Sequence, residues 1–269
     1  MSDADLYRLS PLFRIRGEHI ASVEDELGEV SVIDNKVYRM LSFDRVFEQS
    51  KMQKSQPALP VHKYICAMLM ASALVPAENV LILGLGGGCL VRALYACRPQ
   101  IALDVVELRQ AVIDVAKTYF SLPHSDRILC QAGDAAHFIA HAERARYQLI
   151  FSDLYSASAA APLQSSHAFL QHCAQALQPH GWLVLNHHTA PDEDSAFSAA
   201  LIALFHCVLY CTTPSGNVVI YACREHCDIP LTGIRQRMKQ SGVLFQSDFS
   251  LLAQKVFRWP GSRSSRPDV

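Results

Sequence analysis

The feature that most constrains the fold is a short apolar run that ends in a cluster of glycines. The run is Val80–Leu83, and four glycines follow it: Gly84, Gly86, Gly87 and Gly88. An apolar run bounded by turn signals is typical of a buried parallel strand, and glycine lets a ligand approach the backbone closely. Residues 89–97 then show helical spacing. This pattern predicts a nucleotide-binding element with the helix N-terminus facing the ligand; a tight turn without a ligand is the alternative.

An acidic residue follows at the distance where nucleotide-binding folds hold a ribose. A second apolar run, Ile101–Val106, ends in Glu107, about 20 residues after the glycines. A carboxylate suits a ribose diol because it accepts hydrogen bonds from both hydroxyls; a solvated strand end is the alternative. The strict dinucleotide fingerprint requires a third glycine where Cys89 stands. The sequence therefore disfavours NAD and favours the looser glycine turn of adenosylmethionine-binding folds.

Composition argues against several classes of partner. The chain has 269 residues, half of them hydrophobic, and a formal net charge of -1 without long runs of like charge, so we expect no nucleic-acid partner. No apolar run is long enough for a membrane span, and residues 1–10 contain no apolar segment, so we expect no membrane partner and no signal peptide. Nine cysteines without regular spacing predict reduced thiols and a cytoplasmic protein.

Changes in pattern along the chain predict three regions. They are an N-terminal β-hairpin domain at 1–60, a Rossmann-like nucleoside-binding catalytic domain at 61–257 and a disordered tail at 258–269. In the first region, apolar runs at 30–33 and 37–41 flank a polar turn and predict a hairpin. A further strand pair is expected around 13–20.

Strand and helix patterns alternate along the large domain. After the glycine element, the predicted order is strand 101–107, helix 110–119, strand 127–131, helix 134–142, strand 147–153, helix 165–177, strand 181–187 and helix 195–205. This alternation implies a parallel sheet, and the closely spaced runs 206–211 and 218–223 predict an antiparallel pair at its end. We therefore expect an α/β fold with a Rossmann-like, seven-stranded, mostly parallel sheet (class I methyltransferase-like) beside the small N-terminal β domain.

Two further acids follow predicted strands, where ligands bind in open α/β sheets. Asp134, after Gly133, opens a helix and is expected either to cap it or to accept a hydrogen bond from an adenine amino group. Asp153 ends the predicted strand at 147–153. A carboxylate at the end of a central strand is costly unless it has a partner, so we expect Asp153 to belong to the site.

Taken in order, these motifs resemble the spermidine synthase family, the aminopropyltransferases, which share their fold with adenosylmethionine-dependent methyltransferases. The resemblance extends over about residues 28–223. The matching segments are 41–44 with Gln49, 84–88 with Arg92, 105–108, 117–120, 126–127, 133–134, 147–153 and 177–181.

The resemblance implies a role for each matching residue. The cofactor-binding residues would be Gln49, Gly84, Gly86, Gly87, Gly88, Glu107, Leu108, Gly133, Asp134 and Asp153. Glu107 would hold the ribose, Asp134 the adenine, and the glycines would line the amino-acid end of the donor. Asp153 would also be catalytic, because it would orient and help deprotonate the attacking amine. Tyr155, in the loop beside it, is the second candidate catalytic residue and is expected to stack on the acceptor.

The implied donor is decarboxylated S-adenosylmethionine or S-adenosylmethionine, used as a co-substrate, and the implied acceptor is a small amine of polyamine biosynthesis. The donor is a sulfonium and already activated, so no metal is expected. The family often forms homodimers through the N-terminal sheet, and a homodimer is expected here. Tyr64 is a candidate acceptor contact of uncertain register, and His187 and His188 are either acceptor contacts or a plain loop pair.

Three departures from the family pattern keep the chemistry open. Ser156 stands where the second acid of the Asp-x-x-Asp-Pro motif is usual, Gly87 where the glycine loop has an acid, and Arg109 where an acid follows the ribose glutamate. Aminopropyl transfer to an amine is the first hypothesis. Methyl transfer from S-adenosylmethionine is the second hypothesis, because a loop with glycine at position 87 has no acid there to repel the carboxylate of that donor. A non-catalytic nucleoside-binding protein is the third.

Overall fold

The computed structural model describes residues 15–43, 45, 48–154 and 163–262 of the chain. An antiparallel sheet of four strands begins it, in the order β1-β2-β3-β4. The strands are β1 (Glu18–Asp25), β2 (Gly28–Asp34), β3 (Tyr38–Ser42) and β4 (Ser50–Gln53). The predicted hairpin is confirmed as β2–β3, and Asn35 closes its turn by accepting from the backbone N–H of Tyr38 at 2.7 Å. Of the strand pair expected around 13–20, residues 13 and 14 lie outside the described residues, and the described part contributes the single strand β1, which pairs with β2.

The main sheet has eight strands in the order β12-β10-β11-β9-β8-β5-β6-β7. They are β5 (Asn79–Leu83), β6 (Ala102–Glu107), β7 (Ile128–Ala132), β8 (Tyr147–Ser152), β9 (Leu177–His187), β10 (Cys207–Thr212), β11 (Val218–Cys223) and β12 (Val256–Arg258). The five strands from β9 to β7 run parallel, and the other three pairings are antiparallel. The mixed, mostly parallel sheet confirms the predicted α/β class.

Helices cover both faces of this sheet. They are α1 (Lys63–Leu69), α2 (Cys89–Cys97), α3 (Gln110–Tyr119), α4 (Ala135–Ala140), α5 (His167–Ala176), α6 (Ala196–Leu204), α7 (Leu231–Ser241) and α8 (Ser250–Gln254). Alternate side chains of β5 enter two apolar cores, because the strand lies between two layers of helices. No helix in the described ranges is both long enough and apolar enough to cross a bilayer.

The eighth strand corrects the expected count of seven. β12 has only three residues and pairs with β10 from Leu209 to Cys211. Such a short segment shows no periodicity, so the sequence pattern did not predict it. Trp259 directly follows and is buried against Phe197 and Tyr210. Ordered packing thus continues past residue 257, where the sequence places the end of the domain.

The small sheet docks on α3. Its apolar face, with Val30, Val32 and Leu41, packs against Val112 and Val115 of the helix. At the edge of this contact, Arg109 binds the N-terminal sheet. Its guanidinium donates to both carboxylate oxygens of Asp25, at 2.9 and 2.7 Å, and to the carbonyl oxygen of Gly28 at 2.6 Å. The Arg109 side chain holds the pKa of Asp25 below its usual range. The two sheets therefore meet beside the end of β6.

Gly84 lets two central strands end in contact. It follows β5 with a φ of +92°, and a Cβ at this position would overlap the carbonyl oxygen of Asp153, just after β8. The backbone N–H of Asp153 in turn donates to the carbonyl of Leu83 at 2.9 Å. Only glycine combines this φ with this close approach.

We expect Gly84→Ala to lower the free energy of unfolding by about 2 kcal/mol more than Gly28→Ala does. Gly28 is the matched control, because its φ is +102° and a Cβ there would meet nothing within 4 Å. That variant carries only the cost of the left-handed conformation, about 1 kcal/mol. Urea unfolding of both proteins measures the difference. Equal losses would show that the contact with Asp153 does not constrain position 84.

Candidate active site

The structure brings most of the sequence-predicted site residues to one edge of the main sheet. The chain segments that follow β5, β6, β7 and β8 meet there, and three backbone hydrogen bonds tie them together. Gly84 donates to Val106 at 2.8 Å, Gly133 to Glu107 at 2.9 Å, and Asp153 to Leu83 at 2.9 Å. This edge is where open α/β sheets bind ligands.

The glycine loop and Glu107 form one unit. Gly86 and Gly88 have φ values of +51° and +74°, and Gly88 precedes the first residue of α2. The Glu107 carboxylate accepts from the backbone N–H groups of Leu85 at 2.9 Å and Gly86 at 3.4 Å through one oxygen, and from Arg109 at 3.1 Å through the other. The loop therefore fixes the orientation of the acid that is expected to meet a ribose.

Arg92 supports the glycine loop from behind. This buried side chain donates to the carbonyl oxygen of Gly87, to that of Phe120 at 2.8 Å and to that of Pro57 at 2.7 Å. Burial lowers the pKa of its guanidinium. In the sequence Arg92 is only one residue of a motif, whereas in the structure it links the loop, the end of α3 and the segment before α1.

Position 87 has no space for a side chain. A Cβ on Gly87 would lie 2.7 Å from the hydroxyl of Ser50 and 3.0 Å from the ring of Phe120. Gln49 precedes Ser50 and is anchored by a 2.9 Å hydrogen bond from its N–H to the carbonyl of Leu41. The N-terminal sheet thus closes one side of the glycine loop and places Gln49 near it.

Asp134 caps the N-terminus of α4, which is one of the two roles that the sequence predicted for it. One carboxylate oxygen accepts from the backbone N–H of His137 at 2.8 Å. The surface next to it is open: a Cβ on Gly133 would meet nothing within 4 Å, and Leu108 is 60% exposed. These three residues line a free edge beside Glu107, and their roles toward a nucleoside remain predictions.

Asp153 lies at the centre of a polar cluster. Its Oδ1 accepts from the side-chain N–H of Asn186 at 2.8 Å, and its carboxylate also accepts from the hydroxyl of Tyr64. Burial raises the pKa of Asp153, while Asn186, His188 and Tyr64 oppose that rise. The contact with Asp153 resolves the register of Tyr64, which the sequence left open. Tyr155 and Ser156 lie outside the described residues.

A second layer behind Tyr64 was not predicted. His62 stacks on Tyr64 with ring centroids 5.5 Å apart, and its Nε2 lies 3.3 Å from a carboxylate oxygen of Glu48. Glu48 also pairs with Lys51 at 2.7 Å.

Of the two candidate histidines at the end of β9, His187 packs against Phe197, and burial lowers its pKa to about 4, so the ring is neutral at pH 7. His188 is exposed and lies close enough to Asp153 to lower the pKa of its carboxyl.

Comparisons with known proteins show which sequences and folds this chain resembles. The sequence profile of the spermine/spermidine synthase domain matches residues 59–205. The chain is 28% identical over 203 residues to a polyamine aminopropyltransferase of Vibrio vulnificus, covering 71% of this chain and 67% of that protein. It is 30% identical over 161 residues to an eEF1A lysine and N-terminal methyltransferase of Danio rerio, covering 55% of this chain and only 23% of that protein.

One solved structure matches almost the whole chain. A probable spermidine synthase from Corynebacterium glutamicum superposes with a TM-score of 0.71 and 16% identity, covering 95% of this chain and 98% of that one. At this identity the likeness shows the fold, including the small N-terminal sheet beside the main sheet.

We expect Arg92→Met to lower the free energy of unfolding by about 3 kcal/mol or more, because three carbonyl groups lose a buried, charged donor. Arg98→Met is the matched control at the end of the same helix. Arg98 is exposed and donates to the carbonyl of Ala77 at 3.0 Å, so its loss should cost less than about 1 kcal/mol. Chemical denaturation compares the two. An Arg92 variant as stable as the Arg98 variant would contradict a supporting role for Arg92.

Proposed function

Because the chain belongs to the spermine/spermidine synthase domain family, we propose that it transfers an aminopropyl group from decarboxylated S-adenosylmethionine to a small amine. The observation that carries the proposal is the placement of Asp153. Its carboxylate lies at the end of a central strand, next to the glycine loop, and is held by Asn186 and Tyr64. A half-buried carboxylate in this position can bind an ammonium group and then receive its proton.

The proposed reaction needs little beyond positioning. The amine nitrogen attacks the aminopropyl carbon next to sulfur, the N–C bond forms, and the C–S bond breaks with its electron pair going to sulfur. The products are methylthioadenosine and the N-alkylated amine, whose extra proton passes to Asp153. The donor is an activated sulfonium, so the protein must supply a neutral amine in line with the breaking bond. A raised pKa makes Asp153 a better proton acceptor than an exposed aspartate.

The nucleoside would lie along the edge formed by Glu107, Leu108, Gly133 and Asp134. Each carboxylate oxygen of Glu107 can accept further hydrogen bonds beside those from the loop, so a ribose diol can be added without breaking the loop. The second oxygen of Asp134 would accept from the adenine amino group while the first caps α4. Gln49 and the glycines would close the amino-acid end of the donor.

We infer that the protein forms a homodimer through its N-terminal sheet. The support for the homodimer is β1, an edge strand in which Ile20 is 39% and Val23 is 40% exposed. Apolar side chains on a free strand edge are a liability that a partner strand or sheet can cover. We also propose that it is cytoplasmic and acts on a free amine and not on nucleic acid or a membrane.

Methyl transfer from S-adenosylmethionine is the second candidate, and Gly87 favours it. The lack of space at position 87 means that no carboxylate can stand there without movement of Ser50 or Phe120. The loop then offers no acid to pair with the propylamine of a decarboxylated donor, and no acid to repel the carboxylate of an intact one. The aminopropyltransferase and methyltransferase relatives are compatible with either donor.

A product assay separates these possibilities. The full chain is incubated with either donor, a pool of mono-, di- and polyamines and a cell extract, and the products are identified by mass spectrometry. We expect methylthioadenosine only with decarboxylated S-adenosylmethionine and an amine. Adenosylhomocysteine instead would establish methyl transfer. Binding of either donor by calorimetry without any product would leave a non-catalytic nucleoside-binding protein.

We expect Asp153→Asn to lower kcat by about 100-fold or more without lowering stability at pH 7. The folded-state pKa of Asp153 is raised, so its ionisation disfavours folding: stability falls as the pH rises through the unfolded and then the folded pKa, and the loss is complete above both. The asparagine variant lacks this loss and should gain relative stability from pH 3 to pH 7. Product formation and urea unfolding measured across that range test both parts.

Asp104→Asn is the control for this substitution. Asp104 accepts from the hydroxyl of Tyr147 and from Arg146, both at 2.7 Å, away from the candidate site. Its amide variant should lose stability and keep kcat, the opposite of the Asp153 result. Unchanged turnover in the Asp153 variant would exclude a proton-accepting role for that residue.

A further inference from the structure

A chain of polar side chains runs from the turn between β10 and β11 to Asp153. Thr213 and Ser215 share a hydrogen bond of 2.9 Å between their hydroxyls, and the Ser215 hydroxyl donates to Oδ1 of Asn217 at 2.8 Å. The Asn217 amide donates to Oδ1 of Asn186 at 3.2 Å, and the Asn186 amide donates to Oδ1 of Asp153 at 2.8 Å. Both asparagines are buried, so each link matters more than it would in water.

From Ser215 onward, every donor in this chain points toward Asp153, while the Thr213 hydroxyl donates to the backbone carbonyl oxygen of Asn217 at 3.2 Å. A hydroxyl has one proton, and an amide has separate donor and acceptor ends. Ser215 donates to the oxygen of Asn217, so the NH₂ of Asn217 faces Asn186. Asn217 in turn donates to the oxygen of Asn186, so the NH₂ of Asn186 faces Asp153. The orientation of the last amide therefore depends on Asn217, a residue that does not touch Asp153.

The surroundings fix both ends of the chain. The backbone carbonyl oxygen of Asn186 accepts from the side-chain amide of Gln164 at 2.6 Å. The side-chain oxygen of Gln164 in turn accepts from the hydroxyl of Ser152 at 2.9 Å. At the other end, the carbonyl oxygen of Asn217 accepts from the backbone N–H of Thr213 at 2.9 Å and closes the turn. The backbones of both asparagines are thus held in place.

We propose that Asn217 is a positioning residue, which acts through Asn186 to present an N–H donor to Asp153 and so keeps that side chain an ionised acceptor for the amine proton. The role of Asp153 as acceptor of the amine proton rests on the proposed function; the orientation of Asn186 does not. Three other polar or titratable groups act on the same carboxylate: Tyr64 from α1, His188 after β9 and Glu107 at the end of β6. The hydrogen bonds described above run from Ser215 through Asn217 and Asn186 to Asp153.

Asn217→Asp is the decisive variant because it preserves shape and reverses one link. An ionised aspartate at this position can accept from Ser215 but cannot donate to Asn186. The Asn186 amide would turn over to donate to the new carboxylate, and its oxygen would then face Asp153. Two facing oxygens require a shared proton, so Asp153 should hold its proton to a higher pH.

The measurement is a pH titration of the Asp153 side-chain carboxyl by ¹³C NMR, on the full chain without ligand, with the resonance assigned from Asp153→Asn. We expect its pKa to rise in the Asn217→Asp variant by about one unit or more. Where the product assay supplies a substrate, the acid limb of kcat/KM should move to higher pH by the same amount. An unchanged pKa in a folded Asn217→Asp protein overturns the proposal.

Two further variants keep the test decisive. Gln148→Glu makes the same kind of amide-to-acid change at the opposite end of β8, where the Gln148 oxygen accepts from the N–H of Asn79 at 2.8 Å; an equal pKa shift there would overturn the proposal. If Asn217→Asp does not fold, Ser215→Ala replaces it, because Ser215 is exposed. Its expected shift is smaller and of the same sign, and no shift overturns the proposal. A shifted pKa without any product would refute the proposed function and leave the Asn217 chain standing.

Discussion

The contact between the ends of β5 and β8 is the constraint on which the site depends. Gly84 brings the backbone against the carbonyl of Asp153, and the two strands stay paired up to that point, Leu83 opposite Ser152. The glycine loop and the carboxylate consequently leave the sheet side by side. A bulkier residue at position 84 would separate the glycine loop from the Asp153 carboxylate. Their distance is therefore set by backbone packing and not by side chains that can rotate.

Around this contact, buried polar groups are held by donors and acceptors from distant parts of the chain. Arg92 has carbonyl oxygens from three segments, and Asp153 has donors from Asn186 and Tyr64. A buried charge is strongly destabilising without such partners. The site is thus stable only when the N-terminal sheet, α1 and the antiparallel end of the main sheet are all in place.

The sequence predicted the elements whose signal is local. Helix α3 was placed at 110–119 and observed as Gln110–Tyr119, because its apolar spacing is regular and the chain has turns on both sides. Glu107 and Asp153 were placed at one edge of the sheet because parallel strands end there, and the structure has both acids at that edge. β12 and β4 were missed, since three or four residues carry no periodicity. Asn186 and Asn217 were missed because their importance comes from each other, 31 positions apart, and a single sequence does not show such pairs.

Two of the departures from the family pattern, Arg109 and Gly87, act in one direction. Where the family has an acid two residues after its ribose-binding glutamate, this chain has Arg109, whose side chain pairs with Asp25 of the N-terminal sheet. Where the loop would have an acid, Gly87 has no room for one. Glu48 brings a carboxylate toward Tyr64, but Lys51 at 2.7 Å already neutralises it. In the described part of the site, Asp153 is thus the one carboxylate beside Tyr64 without a cationic lysine or arginine partner. A single such acid can hold one ammonium group, so under the proposed reaction this geometry favours an acceptor with one amino group near the site over a compact diamine.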